Sequence, residues 1–528
     1  MGTRDRIARQ VAPGRCGVLA VLILALGLAL IGCSGSDGAG SSPSASASPM
    51  TLKVMEFNVE YGGTQVSFAK VVEAVKQAQP DVIGLEEAET NTARLAEAAG
   101  YPYWSNATQV VSRYPLLEPP GAKGAYLYVQ VQPGRGVALA NVYLPSDDPG
   151  PQAIRRGAPV EKVQAAEEKA RLPYIQTVLE VLPPLADRGI PTFLVGDFNA
   201  PSWRDYTQAV VGTRDYVKYV VEWPVSKAVE AAGFTDSWRV VYPDPLKSLG
   251  LTWWAARPKV AGWNPGRNAP QDRIDFIYSA GPATATAAQL AGELGGPEVT
   301  FAVDPWPSDH RAVLSTFAVT PGPLPVMVAV SPQVATVGQT VTARYVSPTE
   351  GAVELMVVRR GQGPEGALEA DPAPASPGTS GTVELDTRSF GPGDYEALLL
   401  DANHVVQARA PFWVRKPGAK PILTTDSTAY ASAEPIIVTW KNAPANRWDW
   451  IGVYKKGAAD PAVDSYLIWQ YTGGAGSGTS AGTVAGTLTM EKSTVEGEPW
   501  PLPTGDYVTY YLLADGYEWV AKTEFRVK

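Results

Sequence analysis

The stretch Phe193-Leu194-Val195-Gly196-Asp197-Phe198-Asn199-Ala200-Pro201-Ser202-Trp203 decides how the rest of the chain is read. An apolar run stops abruptly at an acid and an amide two residues apart, ahead of a turn. Side chains alternate along a strand, so Asp197 and Asn199 are expected on one face while Phe198 points into the packing. Buried strands of layered α/β proteins present ligand-handling groups at their ends in this way. The competing reading is a plain turn, because Gly, Asp and Asn are the usual turn formers.

The same kind of ending recurs along the chain. Leu52-Lys53-Val54-Met55-Glu56-Phe57-Asn58-Val59-Glu60 alternates as a strand and closes on Asn58 and Glu60, again two apart. Phe68, Val71, Val72, Val75 and Ala78 then recur at helical spacing, with Ser67 as the expected cap and Pro80 as the stop. Asp81 to Glu87 is a buried-type strand closing on two carboxylates, of which Glu87 is expected to face inward, where it requires a cation or hydrogen-bond donors. A solvated acidic loop running through Glu89 is the alternative there. Val137 to Pro145 reads as a further core strand with Asn141 and Tyr143 on one face, and a second helical region has its clearer part from Pro173, with Ile175, Val178, Leu179 and Leu182.

Beyond a Trp-rich region (Trp253, Trp254, Trp263), Arg273-Ile274-Asp275-Phe276-Ile277-Tyr278 sets an acid in an apolar strand, and Trp306-Pro307-Ser308-Asp309-His310 places an acid beside an imidazole. The chain has only two histidines. A lone histidine is more often structural than catalytic, but His is suited to proton traffic near neutral pH, and Asp275 is available to fix the tautomer of His310. Strands alternating with helices between Pro-rich breaks predict a mixed α/β layered fold.

At 528 residues the chain exceeds one ordinary core, and about two to four domains are expected. Its 45% hydrophobic and 18% charged residues are those of a globular protein, and a net charge of −9 argues against a surface built for bulk nucleic-acid binding. A nuclease is not excluded, because a bound divalent cation supplies positive charge locally. Arg4, Arg6, Arg9 and Arg15 precede an apolar run from Val18 to Ile31, the layout of an export signal. It ends Leu30-Ile31-Gly32-Cys33, similar to a bacterial lipobox with Cys33 as the lipidated residue; an ordinary signal or an uncleaved anchor is the alternative. Residues 1–33 are therefore read as a lipoprotein signal, 34–50 as a Ser/Gly/Ala/Pro tether, and the protein as exported and held by its lipid on the outer face of a membrane, at the cell surface or in the periplasm. The only cysteines are Cys16 and Cys33, so the mature chain has no internal disulfide.

The ordered set FNVE, LEE, NVYLP, GDFN, RIDFIY and SDH, across about residues 51–318, resembles the endonuclease/exonuclease/phosphatase superfamily, which includes deoxyribonuclease I, abasic-site endonucleases, inositol-polyphosphate 5-phosphatases and neutral sphingomyelinases. The resemblance implies an α/β/β/α sandwich and a divalent-metal-dependent phosphoester hydrolase. On that pattern Glu87 ligates Mg²⁺ (or Mn²⁺), with Asn58 and Glu60 beside it holding metal-bound water or the phosphate, and Asp309 completes the metal shell. Asp197 orients or deprotonates the attacking water and Asn199 hydrogen-bonds the phosphoryl oxygens. His310, steadied by Asp275, stabilises the pentacovalent phosphorus. Hard oxygen ligands suit these metals, and in-line attack requires positioned water and charge stabilisation. The chain departs from several branches in having Tyr143 where a second histidine occurs, and Glu60 where many members have Asp. Nucleic acid, a phospholipid headgroup and a small phosphate ester all remain open as substrates.

Thr320 to Pro325 is a Pro/Gly linker, after which short strands and turns predict β-sandwiches. There is an internal repeat: Pro392-Gly393-Asp394-Tyr395, Leu398-Leu399-Leu400 and Phe412-Trp413-Val414 are echoed by Thr504-Gly505-Asp506-Tyr507, Tyr511-Leu512-Leu513 and Phe525-Arg526-Val527. Two β modules, 326–415 and 421–528, follow, the second similar to SKICH-like sandwiches around Asp449-Trp450-Ile451-Gly452-Val453-Tyr454. Its aromatics are read as sandwich packing, with a carbohydrate- or membrane-binding patch as the alternative. His404, in Ala402-Asn403-His404, is read as a surface residue without an acidic partner. A monomer is expected. The rival to the enzyme is a surface binding or adhesion protein with an inert first domain, whose β modules hold a glycan, a membrane or a protein.

Overall fold

The computed structural model describes residues 48–528 except 123, 147–148, 262–263, 267–268, 348–353, 369–379 and 474–481. The export signal, Cys33, most of the tether and Trp263 lie outside the described residues. No helix among the described residues is long and apolar enough to cross a membrane.

The strands of the first domain, in chain order, are β1 Met50–Asn58, β2 Val82–Glu86, β3 Tyr103–Ser105, β4 Val110–Ser112, β5 Leu116–Leu117, β6 Leu127–Gln132, β7 Arg135–Tyr143, β8 Thr192–Asp197, β9 Thr235–Asp236, β10 Asp275–Ala280, β11 Ala283–Gly292, β12 Val299–Ala302 and β13 Ala312–Val319. They form two sheets, ordered β12-β11-β13-β1-β2-β4-β3 and β5-β6-β7-β8-β10-β9. Alternation along each strand divides its side chains between two cores. Leu52, Val54, Val137, Leu139, Phe193 and Val195 fill the space between the sheets. On the outer face of the first sheet, Met55 and Phe57 pack with Val71, Ala74 and Val75 of helix Phe68–Ala78. On the outer face of the second, Ala140 and Leu194 pack with Ile175 and Val178 of helix Leu172–Leu179 and with Val225 and Val229 of helix Pro224–Ala231. The result is an α/β/β/α sandwich.

Met50, at the end of the expected tether, already pairs with Val319. The sequence predicted a free linker over 320–325. Instead Gly322 and Pro323 pair with Gly136 and Arg135 of β7, fastening the chain to the second sheet as it leaves the domain.

The repeat is visible as topology. Gly393–Leu400 pairs antiparallel with Val406–Arg415, and Gly505–Leu512 pairs with Trp519–Val527. In both copies a short strand lies parallel to the last one, through Val334↔Trp413 and Tyr430↔Val527. Each copy also closes a turn through its tyrosine: Tyr395 donates to the Gly391 carbonyl at 3.1 Å and Tyr507 to that of Pro503 at 2.5 Å. In the second copy Trp450, Trp469, Tyr471 and Tyr510 are buried in one aromatic cluster, as the packing reading expected, whereas Trp448, Tyr466 and Tyr517 lie at its edge. Contrary to expectation, His404 has an acidic partner: its Nδ1 lies 3.1 Å from Glu354 Oε2 on the exposed surface.

Candidate active site

The inter-sheet face determines what gathers at one end of the sandwich. On β1 that face carries Leu52 and Val54, and two steps further Glu56 and Asn58; on β7 it carries Val137 and Leu139, then Asn141 and Tyr143; on β8 it carries Phe193 and Val195, then Asp197. Register does the rest: Tyr143 pairs with Asp197 across β7 and β8, and Asp275 pairs with Asp197 across β10 and β8. Polar residues far apart in sequence therefore meet because each is the terminal inward position of its strand, the last of β1, β7 and β8 and the first of antiparallel β10. Gly196 is required here by its φ of 141° and because a Cβ on it would fall onto the Val142 carbonyl.

Asn58 connects the two sheets. Its Nδ2 donates to Asp197 Oδ2 at 3.0 Å and to Glu87 Oε1 at 3.2 Å, while its Oδ1 accepts from the Glu60 amide at 3.1 Å. Tyr143 donates to Glu87 Oε1 at 2.9 Å. Asn199 folds back on Asp197: its amide donates to Oδ1 at 2.8 Å and its Nδ2 to Oδ2 at 3.1 Å, and the same Nδ2 donates to the Leu144 carbonyl at 3.0 Å. Phe198 is buried in the outer core, as its alternation required. The stretch is thus a turn and a site at once.

His310 and Asp275 are brought together by the pairing of Nδ1 with Oδ1 at 3.0 Å and Oδ2 at 3.1 Å. Nε2 faces Asp197 Oδ2 at 3.8 Å and Asp309 Oδ1 at 3.9 Å. Burial lowers the imidazole pKa, but Asp275, Asp197 and Asp309 outweigh it and hold the group up to about 10. Asp197, Asp275 and His310 offer ligand atoms within 4.8 Å of one another. With Nδ1 committed to Asp275 and Nε2 facing two further carboxylates, His310 is placed for ion pairing and proton transfer. Ser308 ties the segment down, donating to the Asn58 carbonyl at 2.6 Å and accepting from the His310 amide at 3.0 Å.

Two carboxylates stand differently from the sequence expectation. Glu60 is not on the strand: β1 ends at Asn58, and Glu60 has φ 56°. Its carboxylate is gripped by Arg257, at 2.6 Å from Nε and 2.5 Å from Nη2, and accepts from the Asp309 amide at 3.1 Å. Burial and the charge of Asp309 still push it up to about 7 against the pull of Arg257. On β2 the carboxylate that points into the inter-sheet core is Glu86, because β2 ends there with that residue in phase with Val82 and Gly84. Glu87 follows at φ 53°, partly exposed, and turns toward Asn58 and Tyr143. Glu86 and Glu56 form a second buried layer beneath the site, hydrogen-bonded to each other and to no other donor. Burial, then neighbouring acids, raises Glu56 far above the usual carboxylate range, and burial does the same to Glu86.

Arg257, Trp253 and Thr252 were not identified from sequence. Trp253 Nε1 donates to Asp309 Oδ2 at 3.2 Å, and Thr252 Oγ1 accepts from the Asp275 amide at 3.2 Å. All three lie in the Trp-rich region, where no periodicity marks a strand. Glu60, Tyr61, Glu87 and Asn199 share a left-handed backbone (φ 46° to 56°), an uncommon conformation for residues with side chains and one that concentrates at functional sites.

Asp309 Oδ1 is buried without a hydrogen-bond partner, and Asp309 and Glu87 both raise the cost of ionising Glu60. Hard oxygen donors with surplus negative charge fit Mg²⁺ or Mn²⁺.

Residues 55–310 match the model of the Endonuclease/Exonuclease/phosphatase family. An uncharacterized Caenorhabditis elegans protein, F14F9.5, is 26% identical over 291 residues, which cover 50% of this chain and 91% of that protein. Among solved structures, D. rerio TDP2 with a single-strand DNA product is similar at 17% identity and TM-score 0.30, covering 51% of this chain and 99% of that one. A Bacteroides thetaiotaomicron mannosyl-6-phosphatase is similar at 15% identity and TM-score 0.26, covering 51% and 99%. The two-sheet sandwich, the polar strand ends gathered at one edge of it and the family match agree: the domain built by residues 55–310 belongs to the endonuclease/exonuclease/phosphatase family.

Proposed function

We propose that the protein is a divalent-metal-dependent phosphoester hydrolase that uses water as nucleophile, exported and tethered to the outer face of a membrane through Cys33. The observation that supports it most is the convergence of Asp197, Asn58, Asp275 and His310 within hydrogen-bonding or ion-pair distance at one end of the sandwich.

Asp197 is the water-facing base: two donors from Asn199 and one from Asn58 fix its carboxylate so that a water beside it loses its proton in a defined direction. When a phosphate enters, Asn199 would turn an N–H from Asp197 or the Leu144 carbonyl, and Tyr143 its O–H from Glu87, to the phosphoryl oxygens. The His310 imidazolium, held by Asp275 through Nδ1, directs Nε2 toward the position where negative charge builds up on phosphorus. Asn58, Glu60, Glu87 and Asp309 would hold the cation. When bound, a Mg²⁺ or Mn²⁺ ion supplies electrostatic stabilisation of the transferred group and its leaving oxygen. Arg257 fixes the orientation of Glu60 and offsets part of the charge.

Purified full-length protein should hydrolyse bis(p-nitrophenyl) phosphate or p-nitrophenyl phosphate with Mg²⁺ or Mn²⁺, lose the activity to chelator, and lose it in Asp197→Asn and His310→Gln. Failure to cut any phosphoester with any divalent cation would sink the proposal. Anchoring is read separately: the mature N-terminus should carry lipid on Cys33, and Cys33→Ser should release the protein from membranes.

A further inference from the structure

The second β module reaches the site. Asn199 and His310 lie on one side of a cavity of about 600 Å³ whose opposite side is built from the second module: Pro461 to Leu467, Gly497, Glu498 and Tyr517. A smaller space beside it, about 80 Å³, is shared by Glu87 and Tyr143 with Trp448, Asp515 and Tyr517. The module is seated, not merely near. Arg447 donates to the Gly124 carbonyl, Thr90 Oγ1 donates to Glu518 at 3.2 Å, and Gly516 lies so close to Glu89 that a Cβ would meet its Cδ at 3.0 Å.

The chemistry of the wall is specific. Tyr61, Trp253, Tyr466 and Tyr517 supply aromatic faces, and Asp464, Ser465 and Glu498 supply oxygen acceptors. Among the described residues no Lys or Arg lines the cavity. Nucleic-acid sites depend on cations to neutralise the backbone, and a walled space of this size matches a small ligand rather than a duplex. Carboxylates without cations repel a second phosphate but accept hydrogen bonds from hydroxyls, and ring faces stack against aromatic side chains.

We propose that the second β module is part of the substrate site, and that the pocket it completes selects the phosphate ester of a neutral, hydroxyl-bearing ring, a sugar phosphate in chemical terms. The proposal rests on the phosphoester reading for its chemistry but concerns different residues. Tyr466 and Asp464 are its specificity-determining positions, the first stacking on the ring and the second accepting from its hydroxyls.

The test uses the full-length protein with glucose 6-phosphate, p-nitrophenyl phosphate and a duplex oligonucleotide. Expected are a kcat/KM for glucose 6-phosphate at least a hundredfold above that for the duplex, and at least a tenfold fall in the glucose 6-phosphate to p-nitrophenyl phosphate ratio in Tyr466→Ala and Asp464→Ala, expressed mainly in KM. Asp464→Glu should recover part of it. Calorimetric binding of glucose 6-phosphate to Asp197→Asn gives a readout without turnover, and Tyr466→Ala in that background should weaken it at least tenfold. If p-nitrophenyl phosphate is hydrolysed but the duplex is cut as well as the sugar phosphate, or neither wall variant moves ratio or binding, the pocket proposal is overturned while the hydrolase stands. If binding responds to the wall and nothing is hydrolysed, the hydrolase reading fails and the pocket survives.

Discussion

Arg257 holds both carboxylate oxygens of Glu60, and both side chains are almost fully buried. A buried carboxylate next to Asp309 and near Glu87 is thereby kept in place without the cation that the same acids would attract. Removing Arg257 leaves that charge uncompensated, which for buried pairs costs about 3–5 kcal/mol. Arg257→Ala is therefore expected to lower the melting temperature of chelated protein and to gain more stability from added Mg²⁺ than wild type does. Equal metal-induced shifts in the two proteins would show that Glu60 takes no part in holding the ion.

His310 sets a pH dependence whose sign follows from its environment. Its folded pKa, about 10, lies above the ordinary 6.5, so the protonated form stabilises the fold, fully below about 6.5, and the contribution disappears as pH rises through about 10. In chelated protein, His310→Gln should be destabilised relative to wild type by about 3 kcal/mol near pH 6, leaving Asp275 unpaired, and the gap should narrow toward pH 10. Thermal melts across that range decide it; a gap that widens with pH contradicts the assignment.

Asp309 presents a buried oxygen with no protein donor. An ion bound there at a hundredfold excess over its dissociation constant stabilises the fold by about 2.7 kcal/mol. Asp309→Asn should abolish most of that shift and lower kcat/KM at least a hundredfold, about 2.7 kcal/mol of transition-state stabilisation. Differential scanning fluorimetry with a Mg²⁺ titration, set beside the kinetics, tests both.

Gly196 lies where β7 and β8 run parallel and has no room for a side chain. Gly196→Ala must part the Val142–Gly196 pairing and carry Asp197 away from Asn58. A loss of about 3 kcal/mol or more is expected, in the range of strained and overpacked positions, together with nearly complete loss of activity. Urea unfolding and the p-nitrophenyl phosphate rate measure the two effects.

Trp450 is fully buried and packs edge-on against Trp469 and Tyr517. Trp450→Ala should cost about 3–5 kcal/mol in the unfolding of the second module. Since Tyr517 borders the cavity, turnover of glucose 6-phosphate should fall further than that of p-nitrophenyl phosphate.

The polar strand tips could be read directly from the sequence because alternation and apolar runs are local signals: Asn58, Tyr143 and Asp197 each end such a run, and Asp275 is an acid set in one. Glu60 and Glu87 were harder, since both follow a strand end in a left-handed conformation that alternation does not anticipate. For that reason Glu86, still in phase with the strand, took the inward place expected of Glu87. Arg257 and Trp253 could not be assigned because the segment that carries them has no periodicity, and their partners lie far away in sequence. The repeat in the second half was visible as matching residues, yet nothing in it indicated that one copy would fold back over the first domain. That is a property of surfaces, not of any single strand.

Asp197 and His310 belong to one part of the chain, whereas Asp464 and Tyr466 lie beyond an entire β module. On the proposed assignment, reaction and choice of reactant are encoded in separate stretches of one chain, brought together by docking. On that assignment, a change in this loop of the second module would alter the range of molecules admitted without touching the hydrogen bonds that join Asn58, Asp197, Asp275 and His310.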